Sequence, residues 1–102
     1  MLNQNFKEFV RLLDSNNVEY LLVGGYAVTI HGYPRYTGDM DIWINPVVKN
    51  AEKLITVFEQ FGLASFALTV NDFSQPGNVI QIGYPPVRID VLTSIDGVAT
   101  NL

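Results

Sequence analysis

Between Leu2 and Leu13 the apolar residues Leu2, Phe6, Phe9, Val10 and Leu13 recur at helical steps. That spacing predicts an amphipathic first helix. Asp14-Ser15-Asn16-Asn17 is a turn cluster, and the β-branched, aromatic and leucine-rich run Val18 to Val23 reads as a strand. Gly24-Gly25 stops it. Tyr26 to His31 has helix-compatible spacing, with Val28, Thr29 and Ile30 lowering the propensity. The segment "GYPRYTG" is loop, Pro34 holding Tyr33 extended. Met40 to Ile44 is a second strand, ended by Asn45-Pro46. Asn50 is the expected N-cap of a helix from Ala51 to Phe61, with Leu54, Ile55, Phe58 and Phe61 on one face and Gly62 just past its end. Ala64 to Phe73 reads as a short helix. "QPGN" (Gln75 to Asn78) carries Pro and Gly in type II turn positions. Val79 to Ile82 and Val87 to Leu92 read as antiparallel strands joined by "GYPP".

The predicted order is helix, strand, helix, strand, helix, strand, strand. It describes an α/β (α+β) domain with a small mixed sheet and helices packed on it. No internal repeat or linker divides residues 1–102, so a single domain is expected. A hydrophobic content of 48% supports a core and argues against disorder. With no cysteine and one histidine, disulfide frameworks, thiol nucleophiles and the usual zinc sites are excluded. The N-terminus does not read as a signal peptide and no apolar run reaches a membrane span, which makes the cytoplasm the expected location. A net charge of −4 argues against a broad basic face for nucleic acid. It leaves room for a nucleotide, because divalent cations reverse the local charge of a carboxylate site.

Alternation along the second strand puts Asp39, Asp41 and Trp43 on one face and Met40, Ile42 and Ile44 on the other. The apolar set belongs to the core. The two acids, about 6.5 to 7 Å apart at Cα, can converge on hard cations. On the last strand Val87, Ile89 and Val91 form the apolar face and leave Arg88, Asp90 and Leu92 opposite. If the two strands are neighbours in register, Asp90 joins the first two acids. The competing reading is a half-solvated sheet face, on which acids alternate with apolar residues for no chemical purpose. Asp is, however, a poor strand former.

Gly24-Gly25, after a strand and before a helix, allows close approach of a phosphate to the backbone and to helix-terminal N–H groups. Val23-Gly24-Gly25, thirteen residues, then Asp39-Met40-Asp41-Ile42, with Asp90 on a later strand in "VRIDVL", resembles the signature of the nucleotidyltransferase superfamily that includes DNA polymerase beta. The segment "GGYAVTIHGYPRYTGDMDIWI" looks especially like small bacterial nucleotidyltransferase-like proteins related to toxin–antitoxin components. The resemblance spans Val18 to Asp96.

It implies metal-dependent transfer of a nucleoside monophosphate from a nucleoside triphosphate such as ATP, with release of pyrophosphate. Asp39, Asp41 and Asp90 would hold two Mg²⁺ (or Mn²⁺) ions, and Asp90 could instead accept the proton of the attacking hydroxyl. Gly24, Gly25 and Tyr26 would contact the triphosphate. Arg35 and Thr37 match the family's "R.T" and, with Arg88, are candidate nucleotide contacts; salt bridges are the alternative role of each arginine. His31 matches the family's "HG" and would order the loop. Tyr36 and Trp43 could stack on a base, against the simpler role of packing. Many active members have Ser where this chain has Gly25, so one hydroxyl contact to phosphate is missing. Twelve residues follow Asp90, fewer than the helical extension usual in the superfamily. The expectation is a minimal core that is a fragment, pairs with itself or a partner protein, or binds without turnover. The acceptor would be a protein, a transfer RNA or a small molecule. The alternative function is a non-catalytic nucleotidyltransferase-fold module, antitoxin-like or regulatory.

Overall fold

The computed structural model describes residues 4–23, 40–63, 67–84 and 87–94. Within them the chain forms α1 (Gln4–Ser15), β1 (Tyr20–Val23), β2 (Met40–Ile44), α2 (Val48–Phe61), α3 (Val70–Ser74), β3 (Val79–Tyr84) and β4 (Val87–Leu92). The helix expected over Tyr26 to His31 lies outside the described residues.

The strands make one mixed sheet in the order β1-β2-β4-β3. β2 and β4 run parallel at its centre, and β1 and β3 pair antiparallel on the outside. A parallel pair needs a long crossover, here supplied by α2, α3 and β3. The chain is therefore of the mixed α/β class expected from the pattern.

One sheet face carries the main core. Met40, Ile42 and Ile44 of β2, Ile82 of β3 and Ile89 and Val91 of β4 pack with Phe6, Phe9 and Leu13 of α1 and with Ala51, Leu54, Val57 and Phe58 of α2. Aromatic rings join the helices: Phe9 lies 5.3 Å from both Phe58 and Phe61, and Phe58 lies 5.8 Å from Phe73. Such pairs add to the burial that each ring contributes.

Local signals explain most of the boundaries. Gly62 ends α2 in a left-handed conformation (φ 94°), and Leu63 N–H donates to the Phe58 carbonyl at 2.8 Å, the bond of a Schellman cap. Gly77 has φ 85°, as the third position of a type II turn requires. Thr69 caps α3: its hydroxyl accepts from Asp72 N–H, and the Asp72 carboxylate accepts from Thr69 N–H. The short helix expected somewhere in Ala64 to Phe73 is thus confined to Val70–Ser74 among the described residues.

The start of α2 corrects the sequence expectation. Its N-cap is Val47, without a side-chain cap bond, and Asn50 lies one turn inside. The Asn50 side chain is turned across the fold instead. Its Oδ1 accepts from Glu19 N–H at 2.7 Å, and its Nδ2 donates to the carbonyls of Glu19 (3.0 Å) and Asn45 (2.9 Å). Buried at 2% exposure, it ties α2 to the start of β1 and the end of β2. Three cross-chain bonds outweigh one local cap, and the helix is free to begin earlier.

Candidate functional site

The other sheet face is read most easily as rows across the strands. β1 pairs Val23 with Asp41, β2 pairs Asp41 with Asp90, and β4 pairs Asp90 with Gln81. One row therefore runs Val23, Asp41, Asp90, Gln81. The next runs Leu21, Trp43, Leu92, Val79. Residues directly opposite on neighbouring strands share a face, so both rows lie opposite the helical core.

Asp41 and Asp90 are register partners on adjacent parallel strands, about 4.8 Å apart at the usual strand spacing. Both are buried, at 2% and 0% exposure. A half-solvated face is therefore not the setting of these acids. All five residues of β2 are buried, so this strand is enclosed on both faces. Two carboxylates held side by side away from water cannot both stay charged without a compensating cation or donor.

Arg88 stands on the same face as Asp90, one alternate position earlier on β4, and its Nη2 donates to Gln81 Oε1 at 2.9 Å. Opposite Arg88 on β3 is Gly83, with φ 94°. A side chain at Gly83 would strain that backbone. Gln81 escaped the sequence reading, which treated β3 as a plain hairpin strand. Its signal was an isolated polar residue between Ile80 and Ile82 on a strand already expected to pair with that of Asp90.

Trp43 is 7% exposed and packs with Leu92, with Val23 and Val79 beside them. It has a packing role in this arrangement. Its indole Nε1 is buried and has no hydrogen-bond partner among the described residues.

The structure brings together Asp41, Asp90 and Arg88 of the residues singled out by sequence. Asp39, Gly24, Gly25, Tyr26, Arg35, Thr37, His31 and Tyr36 lie outside the described residues. Among the described residues no group of three histidines, cysteines or acids could hold a metal ion. The donor chemistry of the Asp41–Asp90 pair still suits a hard cation, since its carboxylate oxygens are what Mg²⁺ accepts. An open pocket of about 300 Å³ lies at the β1–β2 margin, lined by Glu19, Tyr20, Leu21, Trp43 and Asn45.

No family model, curated protein or solved structure matches this chain. Among the described residues no helix is long and apolar enough to cross a membrane.

Proposed function

We propose that this chain is a minimal nucleotidyltransferase core that moves a nucleoside monophosphate from a nucleoside triphosphate to a hydroxyl acceptor. The observation that carries the reading is the in-register pairing of Asp41 with Asp90 on adjacent parallel strands, both buried. The spacing of Gly24-Gly25 and Asp39-Met40-Asp41 in the sequence supports it.

Asp41 and Asp90, with Asp39, are the residues that would hold divalent cations. When bound, such ions offset charge on the entering and leaving oxygens of an in-line displacement. The chain's own contribution is mainly positioning and charge complementarity. Rigid central strands fix the carboxylates, and Arg88 sets a cation beside them, steadied by Gln81. In the reaction the acceptor oxygen bonds to the α-phosphorus while the bond to pyrophosphate breaks. The acceptor's proton passes to a carboxylate, for which Asp90 is the candidate, and pyrophosphate leaves with the electron pair of the broken bond.

The complete burial of Asp90 favours a second reading, a nucleotidyltransferase-fold module that binds partner or nucleotide without turnover. Product formation separates the two. Incubation with α-labelled ATP or GTP, Mg²⁺ and candidate acceptors should transfer label and release pyrophosphate, and Asp41→Asn should abolish both. Metal-dependent binding without any label transfer, across protein, transfer RNA and small-molecule acceptors, would establish the second reading.

A further inference from the structure

β1 is an edge strand: among the described residues it pairs on one side only, with β2. Its sequence, Tyr20-Leu21-Leu22-Val23, has no charge, proline or glycine, the devices that usually keep sheet edges from pairing. Leu21 is 38% and Leu22 51% exposed. They lie on opposite faces, because Leu21 is opposite Trp43 and Leu22 opposite Ile42. A helix or small molecule laid on one face would cover only one of them. A strand added along the edge covers both.

We propose that β1 is a self-association edge, joining two copies of this chain by antiparallel β1–β1 pairing about a twofold axis. The argument for a second copy is self-complementarity. A twofold axis normal to the sheet keeps each residue on its own face, so the register must be centred on a residue. Centred on Leu21, it sets Leu21 against Leu21 of the partner subunit, beside the open pocket under Trp43. It sets Leu22 against Tyr20 of the partner subunit on the core face, and Glu19 against Val23 of the partner subunit.

No like charges are then opposed, although the chain carries a net charge of −4. The Glu19 carboxylate accepts from Asn45 Nδ2 at 2.8 Å, and the Tyr20 hydroxyl donates to Asp14 at 2.7 Å. Both polar groups at the margin are thus already satisfied within one copy. The contact is isologous and closes at two copies. A short strand pair buries less than the standard interface, so the dimer is concentration-dependent. This inference is independent of the catalytic reading, since it uses none of the acids.

The test combines sedimentation velocity from micromolar to millimolar protein with single-cysteine cross-linking, for which a chain without cysteine gives no background. Opposed Cα atoms in an antiparallel pair, about 4.5 to 5.5 Å apart, suit a disulfide. The wild type should shift from 11.4 kDa toward twice that mass as concentration rises. On mild oxidation Leu21→Cys should form a linked dimer at least about tenfold faster than Leu22→Cys, which is offset in this register, or the more exposed control Val48→Cys. Leu22→Lys, with far-UV circular dichroism unchanged, should stay monomeric. A wild type that is monomeric throughout, assembly beyond two copies, or equal linking rates at the three positions would overturn the proposal. If Leu22→Lys does not fold, the linking rates decide alone.

Discussion

Asp41 and Asp90 sit directly opposite each other on adjacent parallel strands and face away from the helical core, both withdrawn from solvent. A buried pair of acids depends on the donors and cations that face it, so binding of a cation with nucleotide should respond to the loss of either acid. Asp90→Asn keeps the shape and removes one of two neighbouring acids. It should remove any stabilisation by Mg²⁺ with nucleotide. In the wild type, ligand at about 100 times its Kd adds about 2.7 kcal/mol, a rise on the order of 10 °C for a domain of this size. Thermal melts with and without MgATP check it.

Asn50 should be among the most sensitive polar positions. Asn50→Ala removes three bonds at once and leaves the Glu19 amide and two carbonyls without the side chain that meets them. A loss of about 2 to 4 kcal/mol is expected, at the upper end for a buried network. Urea denaturation reads it. A loss below about 0.5 kcal/mol, the range of surface substitutions, would contradict the anchoring role.

The contrast between what was and was not legible in the sequence is clearest at this residue. The cap preference of Asn drew the helix start to Ala51, whereas bonds to residues 19 and 45, invisible to any local pattern, place Asn50 inside a helix that begins at Val48. Signals that are local in chemistry survived: Gly62, Gly77 and the two-residue alternation of β2 and β4 all match. The pairing of Asp41 with Asp90 was legible only as a condition, because strand order depends on a long crossover. Gln81 gained its place beside Asp90 from that same order.

Phe58 packs its ring against both Phe9 and Phe73 within the core and is 1% exposed. Phe58→Ala should cost about 3 to 5 kcal/mol through lost burial and the cavity left behind. Phe58→Leu should recover a large part of it. Chemical denaturation of both variants tests whether α1, α2 and α3 share one core.

Burial, followed by the bond and the charge interaction with Asp14, raises the Tyr20 phenol to about 12, above its ordinary value near 10. A proton held more tightly in the folded state contributes stability that is complete below pH 10 and lost as the pH rises through about 12. Ultraviolet titration of the wild type should show a phenol titrating near the upper value. Tyr20→Phe should remove that step and flatten the alkaline loss of stability. An unchanged alkaline profile would contradict the contribution of this pair.

The central claim is that the paired carboxylates hold divalent cations for a nucleoside triphosphate. Calorimetric titration of ATP and GTP into the protein, with and without Mg²⁺, alongside Asp41→Asn and Asp90→Asn, tests it most directly. The account predicts binding that requires Mg²⁺ and is lost in both folded variants. Absence of binding at millimolar nucleotide, or binding that survives both substitutions, would contradict it.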